Sequence, residues 1–368
     1  MRIRRMALGS AIICVFLLAG CGMLNSDKNR AEARQRWDQA RAEMATKLAE
    51  GCYQRGEFGR AHQHIDELVN SGATYAPAYV LAARLAAQKG DLDKARELAD
   101  GATTMDPKSA EAWYVLGTLE QALGYADRAT DDFCEAVWLN PAEAKYVLAE
   151  AELLVAQGRA EEAAKDLGQA ANRMPGRAEL YAALGDVQAM LKRHDQAVGS
   201  YRTAIRLKSD MPAMKERLAA ALFRSGAYTE AEPLLGELAH SEPEFVSGWV
   251  QQMWADCLLA LGRVPEARAL YEARRHLAPK TIAPLVGLAK CDILENRLTS
   301  ACQWLESAMT IQPQDSETHA LMGYVLVATG RPGESLAHLR LALENPVCEG
   351  RPTLERLLAK AEKAADTF

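Results

Sequence analysis

The chain opens on an apolar block, Met6 to Leu18, preceded by Arg2, Arg4 and Arg5 and followed by the small residues Ala19, Gly20 and Cys21. The block is too short to span a bilayer, which takes about 20 apolar residues. Its order of positive charge, apolar core and small residues is that of an export signal. Gly22 to Asn29 is polar and turn-rich and predicts a short linker before a helix from about Ala31. Beyond it a longer rhythm takes over. Ala61, Ala95, Ala129, Ala163, Ala197 and Ala231 recur every 34 residues, and after a slip of two the series resumes at Ala267 and Ala301. Glycines keep the same register at Gly56, Gly90, Gly124, Gly158, Gly226, Gly262 and Gly330, and prolines at Pro107, Pro141, Pro175, Pro243, Pro279 and Pro313.

One period, Ala110 to Glu143, shows what the rhythm predicts. A first helix runs up to Gly124, which reaches positive φ without steric cost and ends it. A second helix then runs back until Pro141, which cannot continue it. Gly117 and Ala129 are small where the two backbones approach, and Phe133 fills the wider gap beyond them. A hairpin of this kind cannot bury both apolar faces alone, so the units must stack and need polar ends. The helix around Trp37 is expected to cover the first unit. At the far end Leu354, Leu357, Leu358 and Ala361 form one stripe on a segment from Pro352 to Ala365, the pattern of a terminal covering helix.

In this period Trp113, Leu116, Gly117, Ala129, Phe133, Ala136 and Pro141 resemble the signature positions of the tetratricopeptide repeat (TPR) family. The resemblance extends over about nine units, starting near residues 42, 76, 110, 144, 178, 212, 248, 282 and 316. It implies an all-α TPR solenoid, a right-handed superhelix of helix-turn-helix repeats with N- and C-terminal capping helices. Some units depart from the pattern: Glu150 stands where an apolar residue is usual, Lys192 replaces a turn glycine, and Ser335 replaces the alanine of the last unit.

The run Leu18-Ala19-Gly20-Cys21 resembles the lipobox of bacterial lipoproteins. That resemblance implies removal of residues 1–20, a diacylglycerol thioether on Cys21 and an acylated new amino terminus; an ordinary signal peptide or a transmembrane stub is the alternative. With residues 21–30 as anchor and linker, 31–349 as the solenoid and 350–368 as the cap, the chain would sit on a membrane. Gly22 after the cysteine favours the outer membrane, facing the periplasm.

Composition narrows the function. Alanine richness favours helices, and a net charge of −6, more acidic still without the leading arginines, opposes nucleic-acid binding. Phosphate-loop, dinucleotide, nucleophile-elbow and zinc-protease motifs are absent from the sequence, so neither an enzyme nor a small-molecule cofactor is expected. His62 and His64 with Asp66 and Glu67 read as a solvated face rather than a metal site, and His194, His240, His276, His319 and His338 lie in separate places without ligand spacing. Cys14 and Cys21 belong to the signal region. Cys52, Cys134, Cys257, Cys291, Cys302 and Cys348 read mainly as core residues, with a disulfide between Cys291 and Cys302 left open.

What remains is surface. By resemblance to the family, the first helices line a concave face through their second, fifth, ninth, twelfth and thirteenth residues. That frame selects Tyr53, Arg84, Tyr114, Met190, Phe223, Trp249, Gln252, Asp256 and Tyr324 as protein-binding candidates, with Asp186 and Lys290 among their neighbours. Aromatic and methionine anchors inside a charged rim are the usual makings of a protein interface. The expected function is a lipid-anchored scaffold for other envelope proteins or peptide segments; the alternative is an accessory subunit, glycan-binding or catalytic, acting on peptidoglycan or exported polysaccharide.

Overall fold

Tight backbone turns set the architecture. Within each helical hairpin of the described residues, one residue at positive φ closes the first helix and reverses the chain. Gly124 is typical at φ 84°, with its N–H donating to the Gln121 carbonyl at 3.0 Å and the Tyr125 N–H to the Glu120 carbonyl at 2.8 Å. The two units that lack a glycine make the same turn: Lys192 takes φ 59° and Asn296 φ 57°. The substitution of Lys192 therefore changes the energy of the turn and leaves its geometry intact.

The computed structural model describes residues 4–209, 212–241, 248–344 and 350–365, with side chains from residue 28 onward except those of Pro212 and Ser241. The described residues form helices and no strand, and they divide into two compact bodies, residues 1–180 and 181–368. The first body pairs α1 (Arg4–Gln54) with α2 (Phe58–Asn70), α3 (Ala76–Gln88) with α4 (Leu92–Met105), α5 (Ala110–Ala122) with α6 (Ala126–Leu139), and α7 (Ala144–Ala156) with α8 (Ala160–Arg173). The helix α9 (Ala178–Met190) lies mostly in the second body, which continues with α10 (His194–Leu207), α11 (Pro212–Arg224), α12 (Tyr228–Ser241), α13 (Gly248–Ala260), α14 (Val264–Leu277), α15 (Ala283–Leu294), α16 (Leu298–Ile311), α17 (Ser316–Ala328), α18 (Pro332–Glu344) and α19 (Arg351–Ala365).

Several helices start on a side-chain cap. Asp91 accepts from the Lys94 N–H, Ser109 from Ala112 and Asp315 from Thr318, each satisfying one of the donors a helix leaves open. The periodic alanines, from Ala61 to Ala301, are fully buried, and Ser335 in the last unit is equally so, its hydroxyl donating to the Pro332 carbonyl at 2.7 Å. The role of Gly117 differs from the expectation. The Phe133 ring lies over it rather than beyond it, so that a Cβ at this position would stand 2.9 Å from the ring.

The ends differ from each other. At the C-terminus α19 lays Leu354 and Ala361 into the core against Leu339 and Ala342, with Leu357 and Leu358 half-covered. At the N-terminus the expected linker and separate covering helix are absent: α1 runs unbroken through Gly22–Asn29 into the first repeat. From Met23 to Glu50 the sequence holds no glycine or proline, so nothing interrupts a helix, and the lone Gly22 costs only about 1 kcal/mol. Every residue from Lys28 to Arg41 is exposed, Trp37 included, and burial begins at Ala42. The segment extends the first helix instead of folding over it. Cys21 lies outside the residues whose side chains are described, and Cys348 outside the described residues altogether.

Candidate interaction groove

Three of the selected residues meet in the first body. Tyr53 sits in the last turn of α1 with its ring edge-on to Phe58 at 5.5 Å. Arg84 comes from the middle of α3 and Tyr114 from the first turns of α5. Together with Ala87, Gln88, Val115, Thr118 and Leu119 they line a groove of about 240 Å³. Its floor is aliphatic, and its walls carry a guanidinium, an amide, a hydroxyl and two tyrosines. This mixture suits a segment with one apolar side chain and exposed backbone groups.

Arg84, on the groove wall, is paired with a residue that the sequence pattern did not single out. Glu111, in the first turn of α5, forms an ion pair with Arg84. It also accepts from Lys145 Nζ at 2.6 Å and from the Tyr146 hydroxyl at 2.8 Å, both at the start of α7. Lys145 in turn lies 5.2 Å from the centre of the Tyr114 ring, and the Tyr114 and Tyr146 rings are 5.2 Å apart. One carboxylate thus ties three consecutive first helices together, holding Arg84 directly and, through Lys145 and Tyr146, the groups packed on the Tyr114 ring. The signal was present as an acid in the second position of a unit followed, one repeat later, by Lys-Tyr. Only the helix crossing brings the groups within reach.

In the second body the selected residues divide. Met190, Trp249 and Tyr324 are exposed on α9, α13 and α17, while Phe223 on α11 is half-buried with its ring 5.4 Å from Tyr228. Gln252 and Asp256 bond to each other, Nε2 donating to Oδ1 at 3.3 Å, and the Tyr271 hydroxyl donates to the same oxygen at 2.6 Å. Burial pushes the Asp256 carboxyl above its ordinary range, with Tyr271 and Lys290 opposing the shift. Asp256 is therefore a strut inside its hairpin more than a free rim charge. Asp186 repeats the arrangement, accepting from the Tyr201 hydroxyl at 2.8 Å and pairing with Arg217. An acid in the ninth place with a tyrosine fifteen residues later marks both units, a pairing visible once the repeats are aligned.

The cysteines and histidines complete the picture. Cys52, Cys134, Cys257, Cys291 and Cys302 are free thiols. Among the described residues no group of three or more His, Cys, Asp or Glu side chains converges as a metal site, and no helix is long and apolar enough to cross a membrane. His319 and His338, which the sequence left apart, touch: their Nδ1 atoms are 2.8 Å apart, and His319 Nε2 is 2.8 Å from the Pro313 carbonyl oxygen. A carbonyl only accepts, so in the neutral pair His319 carries its proton on Nε2 and His338 donates from Nδ1.

Comparison with known proteins agrees with this architecture. Models described as tetratricopeptide repeat match residues 76–119, 148–212, 183–244, 222–288 and 316–340. No curated protein matches the chain. Among solved structures, a tetratricopeptide repeat protein from Parabacteroides merdae is 17% identical, with 68% of this chain and 98% of that one covered and a TM-score of 0.45. The Pseudomonas aeruginosa pilF structure is 20% identical over 57% of this chain and 94% of that one, TM-score 0.45. A MamA protein is 21% identical over 47% and 94%, TM-score 0.42. With repeat matches over more than half its length and a described body made of the same helical hairpins, the chain belongs to the tetratricopeptide repeat family.

Proposed function

We propose that the chain is an interaction scaffold that holds an extended or helical protein segment in the groove of its first body, and that it does so as a lipid-anchored adaptor in a bacterial cell envelope. The TPR fold binds protein or peptide partners, which supports the first part. The observation that carries it is the meeting of Tyr53, Arg84 and Tyr114 on one groove, with Arg84 paired to Glu111. The groove is wide enough for one buried side chain. Gln88 and Thr118 offer hydrogen bonds for the ligand's backbone, and the tyrosines give apolar area at little entropic cost.

The anchor rests on the sequence. Cleavage before Cys21 and acylation there would place the folded part on the membrane, where each buried methylene contributes about 0.8 kcal/mol, so that two or three chains anchor it lastingly. The outer membrane, facing the periplasm, is the proposed site, and a partner among envelope proteins follows from that address.

A photo-crosslinking amino acid at position 118, followed by mass spectrometry of the adduct, identifies the segment in the groove. Tyr114→Ala is expected to lower the adduct yield at least fivefold; a yield indifferent to Tyr114 and Arg84 rejects the groove. Cys21→Ser is expected to abolish incorporation of an alkynyl fatty acid and to release the protein from the membrane fraction. Continued labelling in that variant rejects the anchor.

A further inference from the structure

One departure from the repeat pattern is unexplained by the groove. The seventh place of a unit's first helix is apolar in α5, where Leu116 is buried, yet α7 places Glu150 there with only 6% of its surface exposed. The carboxyl has a weak partner: the Cys134 thiol on α6 donates to Oε1 at 2.9 Å. It makes no ion pair among the described residues. Burial raises its pKa, with Cys134, Arg159 and Arg173 opposing and Asp166 adding to the rise. A buried carboxyl in place of a leucine is destabilising unless something satisfies it.

Beside Glu150 opens a cavity of about 370 Å³, within the range of small-ligand sites. Trp138 forms one wall and is 74% exposed, a large ring left bare at the end of α6. Asp166, Gln169 and Arg173 of α8 form the opposite side. Asp166 carries no ion pair among the described residues, and Arg173 bonds only to the backbone, Nε donating to the Gln169 carbonyl at 3.4 Å.

We propose that this cavity, bounded by α6, α7 and α8, is a saccharide-binding site that takes a neutral hexose or N-acetylhexosamine unit of a polymer, its ring face stacked on Trp138 and its hydroxyls shared among Glu150, Asp166, Gln169 and Arg173. The lining selects this class of ligand. Glu150 and Asp166 would draw an organic cation while Arg173 repels it, and an anion meets the reverse, so neither charge finds a lining of one sign. A polyol both donates and accepts, and planar carboxyl, amide and guanidinium groups bond pairs of adjacent hydroxyls. The C–H face of a pyranose is apolar and matches an exposed indole. A hydroxyl donated to Glu150 would supply the strong partner that Cys134 does not. The site shares no residue with the groove of Tyr53, Arg84 and Tyr114 and does not depend on it.

Calorimetric titration of the full chain in detergent with chitotriose, cellotriose and maltotriose, and separately with trilysine, tests the assignment. At least one trisaccharide is expected to bind, and Trp138→Ala and Glu150→Leu are each expected to weaken that binding at least tenfold. Glu150→Leu restores the apolar residue of the neighbouring unit, so an unchanged or higher urea midpoint in that variant separates loss of a ligand contact from loss of fold. Three silent trisaccharides, binding that survives both substitutions, or a response to trilysine alone overturns the proposal.

Discussion

Lys192→Gly isolates a single backbone angle. Lys192 occupies the turn between α9 and α10 at φ 59°, where the equivalent turns mostly use glycine. Its side chain is exposed and forms no bond or ion pair among the described residues, so substitution removes no side-chain contact. An L-residue in the left-handed region carries a penalty of roughly 1–2 kcal/mol. Glycine removes that penalty but adds about 0.4–1 kcal/mol of conformational entropy to the unfolded chain. The net expectation is a gain of about 0.5–1 kcal/mol. The mirror substitution, Gly124→Ala at φ 84° with open space around its Cβ position, should lose a similar amount. Urea unfolding followed by circular dichroism reads both as shifts of midpoint at constant slope. Because a repeat array need not unfold in one step, hydrogen exchange at the amides of α9 and α10 locates the gain. A destabilised Lys192→Gly protein, or a Gly124→Ala protein as stable as the parent, would refute the assignment of strain to this angle.

Other perturbations test the packing and the charge network. Ala129→Leu forces a larger side chain into a fully buried position and should cost about 1–3 kcal/mol by overpacking, read as a lower urea midpoint. Asp292, almost wholly buried, accepts from Arg268 at 2.8 Å, Arg297 at 2.9 Å and the Trp304 indole at 2.9 Å. Asp292→Ala strands the Trp304 indole N–H and leaves Arg268 and Arg297 with Glu295 alone, and should cost about 2–3 kcal/mol; a loss below about 1 kcal/mol would show that water and Glu295 satisfy the donors. Burial, and then the neighbouring His319, lower the pKa of His338 from 6.5, with Glu334 opposing. The unfolded chain therefore binds more protons than the folded one as pH falls through 6.5, and stability declines below that value while staying level above it. His338→Gln should flatten the decline of melting temperature between pH 7.5 and 5.5, and an equally steep profile in the variant would assign the pH response to other groups. In the second body Trp249→Ala probes the exposed face cleanly, whereas charge reversal at Asp256 would also break the bond to Tyr271 and confuse binding with stability.

The repeat itself was readable from the chain alone, because its determinants are local and recurrent. A residue too small to hold helices apart, a turn residue and a helix stop recur with one spacing, and each acts through sterics that hardly depend on distant neighbours. Even the departures at Lys192 and Ser335 kept the turn and the small buried position. At the N-terminus, polarity and the cap-type residues Asn25, Ser26, Asp27 and Asn29 suggested a break, but no glycine or proline stands between Met23 and Glu50 and α1 continues through the segment.

The chemistry of the surface was decided by tertiary structure. Glu111 reaches Arg84, Lys145 and Tyr146 across three first helices. His319 meets His338 across a hairpin, and Trp138, Glu150 and Asp166 border one cavity from three helices. Such meetings depend on how helices cross and which rotamers the neighbours leave open, and side chains many residues apart carry no periodic trace of it. The alanines and glycines of this sequence determine that hairpins form and stack; the orientation of the stacked helices determines which charges, rings and hydroxyls face one another, and with them what the protein can hold.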